Sequence, residues 1–267
     1  MCTNDWSFFD GAALFHGAVP RVMGTRLEVV TAGTPLPEVT PFWNWLKEEA
    51  FRLDALLNRF DPESAVSRAR ETSRQGAVPA GPELAVLLRE ALAYRERTGG
   101  LFDVTLGRGG VRQEDGTLVL ENADLDFGGF AKGYLLREAK GRLAAAGIRC
   151  AFVDFGASAI LGVGTHPHGD SWLVDVNDPF HPGVVLARTA LRDRALSTSG
   201  NMPGYTGHIV HPATGRAVEG RKVVTAVADD PLDAEVLTTA LMAASFAERE
   251  KLRGMFPDIQ TEIFEIQ

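Results

Sequence analysis

Leu125-Asp126-Phe127-Gly128-Gly129-Phe130-Ala131-Lys132-Gly133-Tyr134 sets an acidic residue on an apolar run, follows it with a glycine pair, and places a lysine where a helix begins. Glycines let a ligand come close to the main chain, and the first turn of a helix offers unpaired N–H groups to a phosphate. Lys132 adds a full positive charge at that point. Taken alone, the same residues equally describe a tight turn with a solvated lysine.

Working outward, the helix opened by Ala131 runs to about Ala146, with Leu135, Leu136, Ala139 and Leu143 inward and Gly147 as its stop. Cys150–Phe155 (CAFVDF) then reads as a short buried strand. Upstream, Val22–Thr31 has the β-branched content of a strand. Thr40-Pro41 opens a helix whose apolar positions Phe42, Leu46, Leu53, Leu56, Leu57 and Phe60 recur near the helical period. A second helix starts near Pro82 and ends at Gly99-Gly100. Downstream, strands are expected at Trp172–Val176, Val184–Leu191 and Val223–Ala228, a helix at Asp233–Phe246, and a closing edge strand at Thr261–Ile266. Helices and strands intermix without strict alternation or internal repeat, which allows α/β or α+β.

A chain of 267 residues, 45% hydrophobic and 23% charged, buries a sizeable core as one large domain or two joined lobes. The net charge of −8 argues against bulk attraction to nucleic acid or to an anionic membrane. Cys2 and Cys150 lack zinc-ligand spacing. The first residues, MCTNDWSFFDGAALFHG, have no basic region followed by an apolar run, so a cytoplasmic protein without a signal peptide is expected. Phosphate-binding GxxxxGK[ST], dinucleotide GxGxxG, GxSxG and HExxH patterns do not occur in their required contexts. If the chain handles a nucleotide, it does so by other means.

Other stretches carry possible chemistry. In Ala234-Glu235-Val236-Leu237-Thr238-Thr239-Ala240-Leu241, Glu235 and Thr239 share a helix face, and a carboxylate with a hydroxyl suits a hard cation such as Mg²⁺. A solvated helix face has the same spacing. Ser197-Thr198-Ser199-Gly200 reads as a small-hydroxyl turn. His208 precedes a Pro–Gly loop, where it would orient a ligand, shuttle a proton or simply face water. Thr98–Thr105 places Leu101, Phe102 and Asp103 after a Gly-Gly stop, as would suit a planar ligand or a buried helix end.

The order of these blocks resembles the FAD:protein FMN transferases, the ApbE-type flavin transferases. The matching segments are MGT at Met23–Thr25, RFDPES at Arg59–Ser64, GGLFDVT at Gly99–Thr105 and LDFGGFAKGY at Leu125–Tyr134. STSG at Ser197–Gly200, HIVHPATG at His208–Gly215 and AEVLTTAL at Ala234–Leu241 complete them. The resemblance implies a compact two-lobed α/β (α+β) fold with FAD between the lobes. It would be a single catalytic domain over residues 21–267 after an N-terminal extension at 1–20. It also implies that Met23, Phe60, Leu101, Phe102, Asp103, Asp126, Lys132 and His208 contact FAD. Gly129, through its carbonyl, with Glu235, Thr238 and Thr239 would hold or flank Mg²⁺, and His208, Glu235 and Thr239 would be catalytic.

The activity so implied is attack by a Thr or Ser hydroxyl of an acceptor protein on the FMN-side phosphorus of FAD, leaving FMN attached and releasing AMP. Water in place of the hydroxyl would make the same scaffold an FAD pyrophosphatase, and loss of catalysis would make it a flavin-binding protein. Three positions depart from the family pattern: Glu235 replaces the usual aspartate, Gly156-Ala157-Ser158 lacks a carboxylate after the central strand, and Phe60 replaces tyrosine.

Overall fold

A computed structural model describes residues 5–204 and 209–267. In chain order the strands are β1 (Trp6–Phe9), β2 (Leu14–Val22), β3 (Thr25–Thr31), β4 (Val78–Pro79), β5 (Val111–Glu114), β6 (Thr117–Leu120), β7 (Ala151–Phe155), β8 (Ala159–Val163), β9 (Trp172–Asn177), β10 (Val185–Leu191), β11 (Arg194–Gly200), β12 (Lys222–Ala228) and β13 (Gln260–Glu265). The α-helices are α1 (Leu36–Leu57), α2 (Ala65–Ser73), α3 (Pro82–Arg97), α4 (Ala131–Ala145), α5 (Pro231–Ala243) and α6 (Phe246–Met255).

The main sheet has the order β1-β2-β3-β7-β8-β11-β12-β13, with every neighbouring pair antiparallel. That resolves the class as α+β. β12 (KVVTAVA) is buried along its whole length because both faces of the sheet are covered. On one face, Leu27, Val153, Phe155 and Val224 join Leu46, Leu135, Leu136 and Leu237 in the principal core. On the other, the β9–β10 hairpin lays Trp172, Val174 and Val176 against Ile160, Leu196, Val223 and Val227. A small sheet, β4-β6-β5, contributes Leu118 and Leu120 to the principal core, so both sheets share one apolar interior.

Several elements differ from the sequence expectation. Residues 6–20, expected as an extension, supply β1 and most of β2 of the main sheet. Phe15 is fully buried there between Trp6 and Trp43, and Gly17 admits the Trp43 ring, which a Cβ would meet at 2.8 Å. α1 starts at Leu36, not at Thr40-Pro41. Pro35 and Pro37 fill its first positions, where no donor is needed, and Thr40 Oγ1 donates to the Leu36 carbonyl instead of capping. The helix expected over 233–246 is two helices. Asp230 caps α5 by accepting from Leu232 N–H, and Ser245 with Glu248 forms a capping box that restarts the chain as α6. Ser197–Gly200 lies in strand β11, not in a turn, because β12 pairs with it along its whole length and β8 joins it at Ser197.

Candidate functional site

The glycine–lysine block closes on α5. Gly129 lies where a Cβ would stand 2.5 Å from Thr239 Oγ1, and one at Gly133 would stand 2.6 Å from Glu235 Cβ. Two glycines four residues apart on one segment therefore meet two oxygen-bearing residues four apart on α5. The absence of side chains at 129 and 133 is what lets these segments touch. Lys132, between them, brings its Nζ to 3.3 Å from Glu235 Oε1.

Glu235 is 4% exposed, so its carboxylate needs partners. Its second oxygen, Oε2, accepts from Ser197 Oγ at 2.9 Å. Ser197 and Ser199 alternate on β11 and both turn to α5, with Ser199 Oγ donating to Thr238 Oγ1 at 2.9 Å. Thr238 donates to the Glu235 carbonyl at 3.0 Å and is fully buried, so its hydroxyl is spent inside the protein. Thr239 also donates to that carbonyl, at 3.1 Å, but is only partly buried. With its proton committed, its lone pairs are left for an incoming cation.

The donor set fits a magnesium ion on that ground. Glu235 and Thr239 offer carboxylate and hydroxyl oxygens on adjacent turns, with Gly129 alongside, and a hard cation prefers oxygen ligands with water completing the shell. Among the described residues no group of three His, Cys, Asp or Glu side chains converges as a metal cage. Thr238 buttresses the pair from below.

Asp126 shapes the turn that leads into this segment. Its Oδ1 accepts the Gly128 N–H at 2.8 Å, closing the turn that presents the glycine pair. Its Oδ2 takes Arg59 Nη1 at 2.7 Å, and Arg59 Nη2 reaches Asp124 at 3.1 Å. The Arg59 pairing places Phe60, 86% exposed, at the rim of this turn. Leu101, Phe102 and Asp103 instead face inward. Phe102 stacks on Phe130 with ring centroids 6.4 Å apart, and the Asp103 carboxylate is used by Thr105 and by Arg95 Nε at 3.1 Å. All three residues are buried. Met23 and Gly24 occupy the two-residue turn between β2 and β3, both with positive φ (49° and 75°), so Met23 is fixed there by turn geometry.

Close approaches tie the remaining blocks together. A Cβ on Gly156 would lie 2.3 Å from Thr25 Oγ1, which sets the Met23–Thr25 turn beside Gly156-Ala157-Ser158. Asp154 makes the latter turn possible by accepting the Ala157 N–H at 2.7 Å and pairing with Arg26 at 3.0 Å. Gly107 packs on the Pro212 carbonyl, which brings the loop after Thr105 against His211–Gly215. His208 lies outside the described residues. The sequence motifs give no role to Ser197, Ser199 or Arg59; hydroxyls at alternate strand positions are the signal for the first two.

A family model for the ApbE family matches residues 23–111 and 108–259. The chain belongs to the ApbE family. A Rhodobacter capsulatus protein named FAD:protein FMN transferase is 29% identical over 266 residues, 84% of this chain. The chain spans 50% of that relative's length. The flavin transferase ApbE of Vibrio cholerae superposes with a TM-score of 0.78 at 20% identity, covering 94% of this chain and 93% of that one. The ApbE protein of Thermotoga maritima superposes with a TM-score of 0.79 at 22% identity, covering 95% of this chain and 97% of that one. These structures share the ApbE fold seen here.

Proposed function

We propose that the protein carries out Mg²⁺-dependent transfer of the FMN half of FAD to a Thr or Ser hydroxyl of an acceptor protein, through a phosphoester bond and with release of AMP. The observation that carries this reading is the meeting of Glu235 and Thr239 with the Gly129–Gly133 segment. Cation-binding oxygens stand there beside a helix N-terminus and an ammonium, which together suit a metal-bridged pyrophosphate. Membership of the ApbE family and likeness to a relative named for this transfer support it.

A bound magnesium ion would neutralise charge on the pyrophosphate. Glu235 and Thr239 would hold it, with the Gly129 carbonyl as a third oxygen. Gly128 and Gly129 leave the main chain open to phosphate oxygens, and Lys132 supplies positive charge at the same turn. Phe60 offers an exposed ring to the planar flavin. The acceptor oxygen bonds to the FMN-side phosphorus as the bond to the bridging oxygen breaks. The bridging oxygen leaves with the electron pair as part of AMP, and the acceptor proton passes to a base. We assign that base to His208 from its place in the HIVHPATG signature.

The test is incubation of the protein with FAD and Mg²⁺, with and without a candidate acceptor carrying a Thr or Ser segment. AMP together with a fluorescent, flavin-labelled acceptor is expected. AMP with free FMN instead would replace transfer by hydrolysis, and release of neither product across a panel of acceptors would overturn the catalytic reading.

A further inference from the structure

Lys132 is held by little. Among the described residues its polar partner is Glu235, at 3.3 Å, and its side chain is 20% exposed. Lys140 contrasts with it, being fastened by the carbonyls of both Asp193 and Asp229. An ammonium on a four-carbon stem with one charged neighbour is free to swing once that neighbour is taken. Glu235 has a second hold that does not involve the ammonium, the hydrogen bond that its Oε2 accepts from Ser197 Oγ at 2.9 Å.

We infer that Lys132 is a displaceable stand-in for the cation: a divalent ion arriving between Glu235 and Thr239 expels the ammonium, which turns outward to an anionic phosphate. The inference rests on the proposed reading that Glu235 and Thr239 hold a divalent ion. Its physical basis is that a divalent ion and an ammonium cannot share one carboxylate oxygen without strong repulsion at contact distance. The displaced charge is not wasted, because the first turn of α4 is where a phosphate would sit. Metal and pyrophosphate then assist each other. The metal frees Lys132 for the phosphate, the phosphate draws Lys132 from Glu235, and linkage makes the two effects equal in equilibrium binding.

Lysine labelling tests this on the wild-type protein. The chain is exposed to an amine-acylating reagent with and without Mg²⁺, and modification of Lys132 is followed by mass spectrometry beside Lys140 and Lys222 as internal references. Lys132 labelling is expected to rise several-fold with Mg²⁺ and to fall again when ADP is added as a pyrophosphate probe, while the reference lysines stay level. In parallel, Mn²⁺ binding without nucleotide is measured by electron paramagnetic resonance for wild type and Lys132→Met, and the variant is expected to bind more tightly. If Mn²⁺ binds but Mg²⁺ leaves Lys132 labelling unchanged or lowers it, the displacement is overturned and the metal site stands. If Mn²⁺ does not bind the wild-type protein at all, both the metal reading and the displacement fall. Labelling is done on wild type, so a poorly folding variant would not remove the test.

Discussion

Gly133 lies so close to Glu235 that a Cβ on the glycine would stand 2.6 Å from the Cβ of the glutamate and 2.9 Å from the Pro231 carbonyl oxygen. Gly141, in the same helix, has nothing within 4 Å of the corresponding point. Alanine at either position gains helix propensity, by about 0.5–1 kcal/mol. At 133 the clash with a neighbouring main chain outweighs that gain, since overpacking costs about 1–3 kcal/mol. Gly133→Ala is therefore expected to lower stability in urea and weaken Mg²⁺ binding, whereas Gly141→Ala raises stability and leaves binding unchanged. Equal stability changes in the two variants would show that the α4–α5 approach is not tight.

Ser197→Ala removes the hydroxyl that donates to Glu235 Oε2 and shares a hydrogen bond with Thr238. A buried carboxylate oxygen left without its donor costs about 1–3 kcal/mol. The expected outcome is lower stability together with weaker Mn²⁺ binding, and restoration of both by Ser197→Thr, which keeps the hydroxyl. Stability loss with unaltered metal affinity would confine Ser197 to a packing role.

Arg59 and Asp126 tie two distant segments together across the mouth of the site at 2.7 Å. Arg59→Met frees the Phe60 segment but leaves the Asp126–Gly128 turn closed, whereas Asp126→Ala loses both contacts. FAD affinity, read by quenching of flavin fluorescence, is expected to fall in both and further in Asp126→Ala. Arg59 pairs with both Asp124 and Asp126, and part-exposed ion pairs contribute about 1 kcal/mol or less each, so the Arg59→Met loss is expected to be on the order of tenfold or less. A larger loss in Arg59→Met than in Asp126→Ala would contradict this ordering.

The elements with strong periodicity were legible from sequence. α3 and α4 run close to their expected bounds because a leucine stripe and a glycine stop agree. α2 (AVSRARETS) was not, since among its apolar positions only Val66 is a buried hydrophobic and its helical state depends on the Ser64 cap and on packing. The end of β11 is not legible because Ser, Thr and Gly are turn-formers locally, and pairing with β12 is what makes them a strand. In the site, the pairing of Glu235 with Thr239 follows from helical spacing alone. That Phe102 and Asp103 turn inward does not follow, because the direction of a side chain after a helix stop is set by the core it meets. Nor does spacing reveal that Lys132 rests on Glu235, a contact made possible by the two glycines that flank the lysine and let its segment touch α5.

Asp230 gives the expected pH dependence. It caps α5 by accepting the Leu232 N–H at 2.8 Å, yet burial raises its carboxyl above the ordinary value of 3.8, with Asp233 and Glu90 adding repulsion. The Leu232 N–H and Arg137 oppose the rise without cancelling it. A carboxyl held above its unfolded value binds its proton more tightly in the folded state. Its contribution to stability is therefore fully present below pH 3.8 and is lost as pH rises through the folded value. Near neutrality the charged group is a net burden on the fold. Asparagine caps a helix about as well as aspartate and carries no charge to bury. Asp230→Asn is thus expected to be as stable as wild type or slightly more so at neutral pH, by about 0.5 kcal/mol or less given the partial exposure of the group. Its advantage should shrink as pH falls through the carboxylate range. The measurement is the urea midpoint of both proteins at several pH values. A variant less stable than wild type at neutral pH, converging with it only in acid, would mean that the charge of Asp230 at the α5 N-terminus outweighs the cost of its burial.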